Sequence, residues 1–98
     1  MRESAYQAEL VKRIKRLLPG CFIQQNDPKR NQGMPDLLIL FRDRWAMLEV
    51  KAHEGSPNRP NQPHWVGHFD DMSFASFIYP ENEEEVLDAL QSAFGALR

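Results

Sequence analysis

At 98 residues, with 42% hydrophobic and 27% charged side chains, the chain is expected to form one domain around a single modest core, which excludes extensive disorder. The single cysteine, Cys21, excludes an intrachain disulfide and a cysteine-based zinc site, and no apolar run is long enough to span a bilayer. The net charge of −2 is unevenly spread, with ten Lys and Arg against six Asp and Glu in residues 1–51 and two against eight in residues 52–98, so an acidic protein still offers a basic region for phosphates.

In chain order, residues 4–18 read as a helix ended by Pro19-Gly20. Tyr6, Leu10, Ile14, Leu17 and Leu18 share one face, with Lys12, Lys15 and Arg16 opposite. Glu3 falls at the centre of the apolar face while Glu9 lies off it; an acid there must be paired, metal-bound or beyond the helix end. Cys21 to Gln25 read as a short strand that buries Cys21. Asn26 to Gln32 read as a loop carrying Lys29 and Arg30.

Two β-rich runs follow, Asp36 to Phe41 and Trp45 to Lys51, joined by the polar break Arg42-Asp43-Arg44 and expected to pair as an antiparallel hairpin. Residues Ala52 to Asn61 hold Gly55, Pro57 and Pro60 and are expected to be irregular, with Asn61 or its neighbours capping a helix that runs to about Asp70. On that helix Trp65 and Phe69 are spaced i, i+4. So are His64 and His68, which have no third ligand and no intervening glutamate, so an exposed face is expected in place of a zinc site. Phe74 to Tyr79 form the next strand, stopped by Pro80. A last helix at about 82–95 buries Val86, Leu87, Leu90 and Phe94, and opens with Glu83-Glu84-Glu85 at the positive end of its dipole. The order is α-β-β-β-α-β-α, an α/β sandwich around a mixed sheet.

The chemistry concentrates in the hairpin. Strand alternation sends Glu49 and Lys51 to one face and Leu48 and Val50 to the other, and Asp36, at the start of the partner strand, reaches the same spot. Two carboxylates converging beside an ammonium repel each other unless a cation lies between them, and the natural cation is hard and oxygen-loving, Mg²⁺ or Mn²⁺.

With Gly33-Met34-Pro35-Asp36 before the first strand of the hairpin, Glu49-Val50-Lys51 ending the second and Gln62 opening the next helix, the chain resembles the PD-(D/E)XK nuclease superfamily, and within it the small stand-alone VRR-Nuc domains of phage and bacteria. The resemblance covers nearly the whole chain; it departs between Lys51 and Gln62, where His53, Glu54 and Arg59 replace a Gly-rich turn. It implies a restriction-endonuclease-like αβββαβ(α) core and a Mg²⁺-dependent DNA endonuclease, with Mn²⁺ as a substitute. It further implies Asp36 as the central metal ligand, Glu49 as the second carboxylate, the Val50 carbonyl and Glu3 as additional ligands, Lys51 as the group that orients water or stabilises developing charge, and Gln62 as a positioning residue. Lys29, Arg30, Lys12, Lys15 and Arg16 are the candidates for holding DNA phosphates. Such domains are expected in the cytoplasm of a bacterial or phage-infected cell, as homodimers cutting branched DNA such as four-way junctions, with Trp45, Trp65, Phe69 and Phe77 as interface candidates. Restriction-like, homing or repair cleavage of linear duplex, or a silent binding module, are the alternatives.

Overall fold

A computed structural model describes residues 1–27 and 29–95. Its elements are α1 (Glu3–Leu17), β1 (Phe22–Gln25), β2 (Leu37–Phe41), β3 (Arg44–Val50), α2 (Gln62–Met72), β4 (Phe74–Ile78), a 3₁₀ turn at Pro80–Asn82, and α3 (Glu83–Ala93). The order matches the sequence expectation, and the result is a small α/β fold of three helices and a four-stranded mixed sheet.

The strands lie in the order β1-β2-β3-β4. The first three are antiparallel neighbours, while β4 pairs parallel to β3, which requires α2 to carry the chain back across the sheet. Leu37 opposes Leu48 and Phe41 opposes Arg44, so the hairpin turn is only Arg42-Asp43, tighter than the three-residue break read from the sequence. Arg42 takes a left-handed backbone (φ 58°) to make it.

Alternation divides the sheet cleanly. Leu37, Ile39, Phe41, Ala46, Leu48, Val50 and Ile78 point to one face and pack with Tyr6, Leu10, Ile14 and Leu18 of the α1 segment and with Val86, Leu87, Leu90 and Phe94 of the α3 segment, forming the core. On the other face α2 covers β3 and β4. The remainder of that face carries Phe22, Leu38, Leu40 and Met47, with Phe22 58% and Leu40 41% exposed.

Several boundaries shift for local reasons. The first helix includes Glu3 and stops at Leu17, where Leu18 caps it by donating its N–H to the Ile14 carbonyl. Asn61 does precede α2, but in a left-handed conformation (φ 69°) with no capping bond from its side chain, and Pro63 fits the first turn, where no N–H is needed. The final helix is shorter than expected at both ends: Asn82 belongs to a separate turn, Pro80–Asn82, in which it accepts the Tyr79 N–H at 2.9 Å and donates to the Phe77 carbonyl at 3.2 Å, and Phe94 caps the other end before Gly95 turns left-handed (φ 69°). Cys21 lies just before its strand and is half-buried against the core, a correction to its expected burial within a strand; partial burial raises its thiol pKa.

The two ends of the chain are tied by polar contacts over the core. The Tyr6 hydroxyl donates to Glu83 at 2.8 Å, and the Arg13 guanidinium engages Glu83 and, in bidentate fashion at 2.7 and 2.9 Å, Glu84. The acidic opening of α3 therefore serves α1 as well as its own dipole. Among the described residues no helix is long and apolar enough to cross a membrane.

Candidate active site

The register of the hairpin brings two acids together. Since Leu37 opposes Leu48, the next pair outward sets Asp36 opposite Glu49, and directly opposed residues in an antiparallel pair project to one face. Asp36 accepts the Val50 N–H at 2.9 Å through Oδ2. A residue's N–H and C=O lie on the same strand edge, so the Val50 carbonyl is also turned toward the Asp36 side. The β3–β4 pairing continues one residue past β3, where the Lys51 N–H donates to the Ile78 carbonyl at 2.9 Å. Lys51 thereby keeps the strand alternation and stays on the face of Glu49.

These side chains are deeply buried for charged groups: Glu49 is 2% exposed, Lys51 6%, and Gln62 4%. Gln62 explains how they are tolerated. Its Nε2 donates to Glu49 Oε2 at 2.6 Å, while its Oε1 accepts from Lys51 Nζ at 2.5 Å and from the Arg59 N–H at 2.8 Å. Lys51 Nζ also donates to the Pro57 carbonyl at 3.0 Å and lies 5.9 Å from the centre of the Phe77 ring. The amide thus bridges glutamate and lysine, holding both from the first residue of α2.

One group is left over. Glu49 Oε1 is buried, and among the described residues no N–H or O–H donates to it. Burial raises the Glu49 carboxyl to about 8, with the charge of Asp36 the next cause; burial likewise raises Asp36, offset by the Val50 N–H, by a proton shared with the Glu49 carboxyl and by the charges of Arg59 and Lys51. Two opposed carboxyls that resist joint ionisation, one with an oxygen that no N–H or O–H donor among the described residues reaches, fit a hard divalent cation. Mg²⁺ characteristically takes one or two carboxylates and completes its shell with waters and substrate oxygens, a demand that Asp36, Glu49 and the neighbouring Val50 carbonyl could meet.

Glu3 stands half-exposed in the first turn of α1, bordering a depression with Gln7, Lys12, Lys15 and Gln25, and its charge is among the causes that raise the Glu49 carboxyl. Among the described residues no group of three His, Cys, Asp or Glu forms a metal cage. The basic candidates divide among separate surfaces: Lys12 and Lys15 beside Glu3, Arg16 exposed on α1, Arg30 in a depression with Gln24, Met34 and Met47, and Lys29 alone in the cleft that opens onto Asp36. That cleft, about 360 Å³, is also lined by Arg59 and Gln62. Arg59 was not among the candidates read from the sequence; its only signal there was a lone cation three residues before Gln62.

Of the aromatic candidates, Trp65 and Phe69 stack at 5.4 Å and Phe69 meets Trp45 edge-on at 6.1 Å, so all three are engaged between α2 and β3, while Phe77 lies half-buried under Lys51. His64 and His68 are exposed, their rings parallel at 6.2 Å. No protein family, curated protein or solved structure was found to match this chain.

Proposed function

We propose that this protein is a Mg²⁺-dependent DNA endonuclease with a restriction-endonuclease-like core of the PD-(D/E)XK type, acting on branched DNA. The observation that carries the reading is the half-buried Asp36 set opposite the buried Glu49, with no N–H or O–H of the described residues donating to Glu49 Oε1 and a lysine one amide away. Asp36, Glu49 and the Val50 carbonyl would hold the cation, which would supply a water of lowered pKa and charge relief on the phosphoryl oxygens. Lys51 presents its ammonium to the attacking water or the developing oxyanion, and Gln62 fixes where that ammonium sits. Mn²⁺, with the same preference for oxygen ligands, substitutes.

Each chain carries one such acidic pair, so paired cuts across a four-way junction need two copies, and a homodimer is part of the proposal. The apolar, uncovered part of the sheet face supports it. An antiparallel face left to solvent normally alternates to polar residues, whereas Phe22, Leu38, Leu40 and Met47 are apolar there. The test is cleavage of synthetic four-way, flap and linear duplex DNA with Mg²⁺, Mn²⁺ and EDTA. Metal-dependent cutting of junctions ahead of duplex is expected; equal rates on duplex discard the branched-DNA preference, and no metal-dependent cutting of any substrate discards the nuclease.

A further inference from the structure

We infer that Arg59 and Lys29 form a two-walled phosphate clamp that holds a single nucleotide unit of the substrate strand beside the attacked phosphate. This rests on the nuclease reading for the identity of the strand, though not for the existence of the clamp. The cleft has two walls from distant parts of the chain: Lys29, Gln32 and Met34 on the loop before β2, and Arg59 and Pro60 on the loop before α2. Asp36 and Gln62 also line it, so the cleft leads directly into the acidic site.

The walls are joined at Gly33. With φ +85° and no side chain, it lies so near the second loop that a Cβ there would be 2.7 Å from the Asn61 carbonyl carbon and 2.8 Å from the Pro60 oxygen. The loop that carries Lys29 and the loop that carries Arg59 therefore meet through a close backbone contact. At about 360 Å³ the cleft is near the lower end of the ~300–1,000 Å³ typical of small-molecule sites, the scale of a single nucleotide unit.

Neither cation is consumed by the fold. Both Lys29 and Arg59 are exposed, and neither takes part in a salt bridge among the described residues. Arg59 serves the site's architecture only through its main-chain N–H on Gln62 Oε1, which leaves the guanidinium, with its fork of donors suited to phosphate, free for a ligand. Its charge is felt at Asp36, so it acts within reach of the reacting centre. Arg59 is a positioning residue for substrate.

The probe is a single-stranded pentanucleotide of DNA, titrated in EDTA so that no cleavage intervenes, over a series of salt concentrations. Arg59→Ala is expected to weaken binding about tenfold and to flatten the dependence of log Kd on log salt by ~0.7, the loss of one phosphate contact on a single strand, with Lys29→Ala doing the same. Thermal stability should not change, because alanine keeps the N–H bond to Gln62. In Mg²⁺, Arg59→Ala should raise KM with kcat within about twofold. Unchanged affinity and salt slope in both variants overturn the clamp even if the protein cleaves DNA. Arg59-dependent binding by a wild-type protein that cleaves nothing leaves the clamp standing and removes the nuclease.

Discussion

At the scale of single residues the site is governed by the cost of charge in a low-dielectric interior. Glu49 normally titrates near 4.5 but is raised to about 8, and Asp36 moves the same way, so the metal-free folded protein binds more protons than the unfolded chain between those pH values. Stability should therefore fall as pH rises from about 4.5 to about 8 in EDTA. Mg²⁺ should restore it most at the alkaline end, where its binding need displace the fewest protons. Glu49→Gln, which keeps an oxygen for the Gln62 amide, should remove most of this slope and stabilise the EDTA form at pH 8 by on the order of 2 kcal/mol. Thermal melts across pH 5–8 check this, and a flat wild-type profile contradicts it. Asp36→Asn should abolish cleavage, by about a hundredfold or more, while folding and DNA binding persist, because one ligand charge goes and the volume stays. Retained cleavage by this variant in Mg²⁺ would mean that the chemistry lies elsewhere. Gln62→Ala should cost about 1–3 kcal/mol, since it strips partners from Glu49, Lys51 and the Arg59 N–H together, and should also lower kcat. Denaturant unfolding and single-turnover cleavage measure the two effects.

At the scale of elements the site exists because three segments end at one place: the start of β2, the end of β3 and the first residue of α2. The hairpin was legible because apolar runs and period-two alternation specify strand, face and register together, and they set Asp36 across from Glu49. The irregular segment from Ala52 to Asn61 was not legible. Its conformation is dictated by contacts at a distance: Pro57 and Arg59 bound to the Lys51–Gln62 pair, and Pro60 and Asn61 packed on Gly33. Gly33→Ala tests that packing. A methyl there must displace the backbone of Asn61 or Pro60 from a position whose φ also disfavours it, at a cost of about 1–3 kcal/mol. The expected result is a lower Tm and a rise in KM as the two loops part. A variant that melts and cleaves like the wild type would show that the loops do not depend on this contact.

At the scale of the whole molecule one sheet face is complete and the other is not. Strand β2, Leu37-Leu38-Ile39-Leu40-Phe41, is apolar on both faces, as a doubly covered strand is, yet among the described residues the helices pack on its core face and leave Leu40 41% exposed on the other. If a second copy covers the other side, light scattering should give a dimer, and Leu40→Lys or Phe22→Lys, each at an exposed position, should give folded monomers that nick junctions without pairing the two cuts. A wild-type monomer at tens of micromolar would discard the dimer and leave the single-site nuclease intact. The aromatic residues expected at this interface are largely occupied within the chain, because Trp45, Phe69 and Trp65 pack on one another to seat α2.

The sequence by itself determined the element order, the core-facing residues of each strand and helix, and the meeting of Asp36, Glu49 and Lys51, because each follows from periodicity and from pairing across a short turn. Tertiary structure alone decided the rest. That Gln62 bridges glutamate to lysine, that the charge of Glu3 is felt at Glu49, that the basic residues divide among separate surfaces and that Arg59 and Lys29 line one cleft all depend on how segments distant in the chain are laid together. No local pattern encodes those distances. They are fixed by burial of the shared core and by backbone contacts such as Gly33 on Asn61, which act only once the chain has folded.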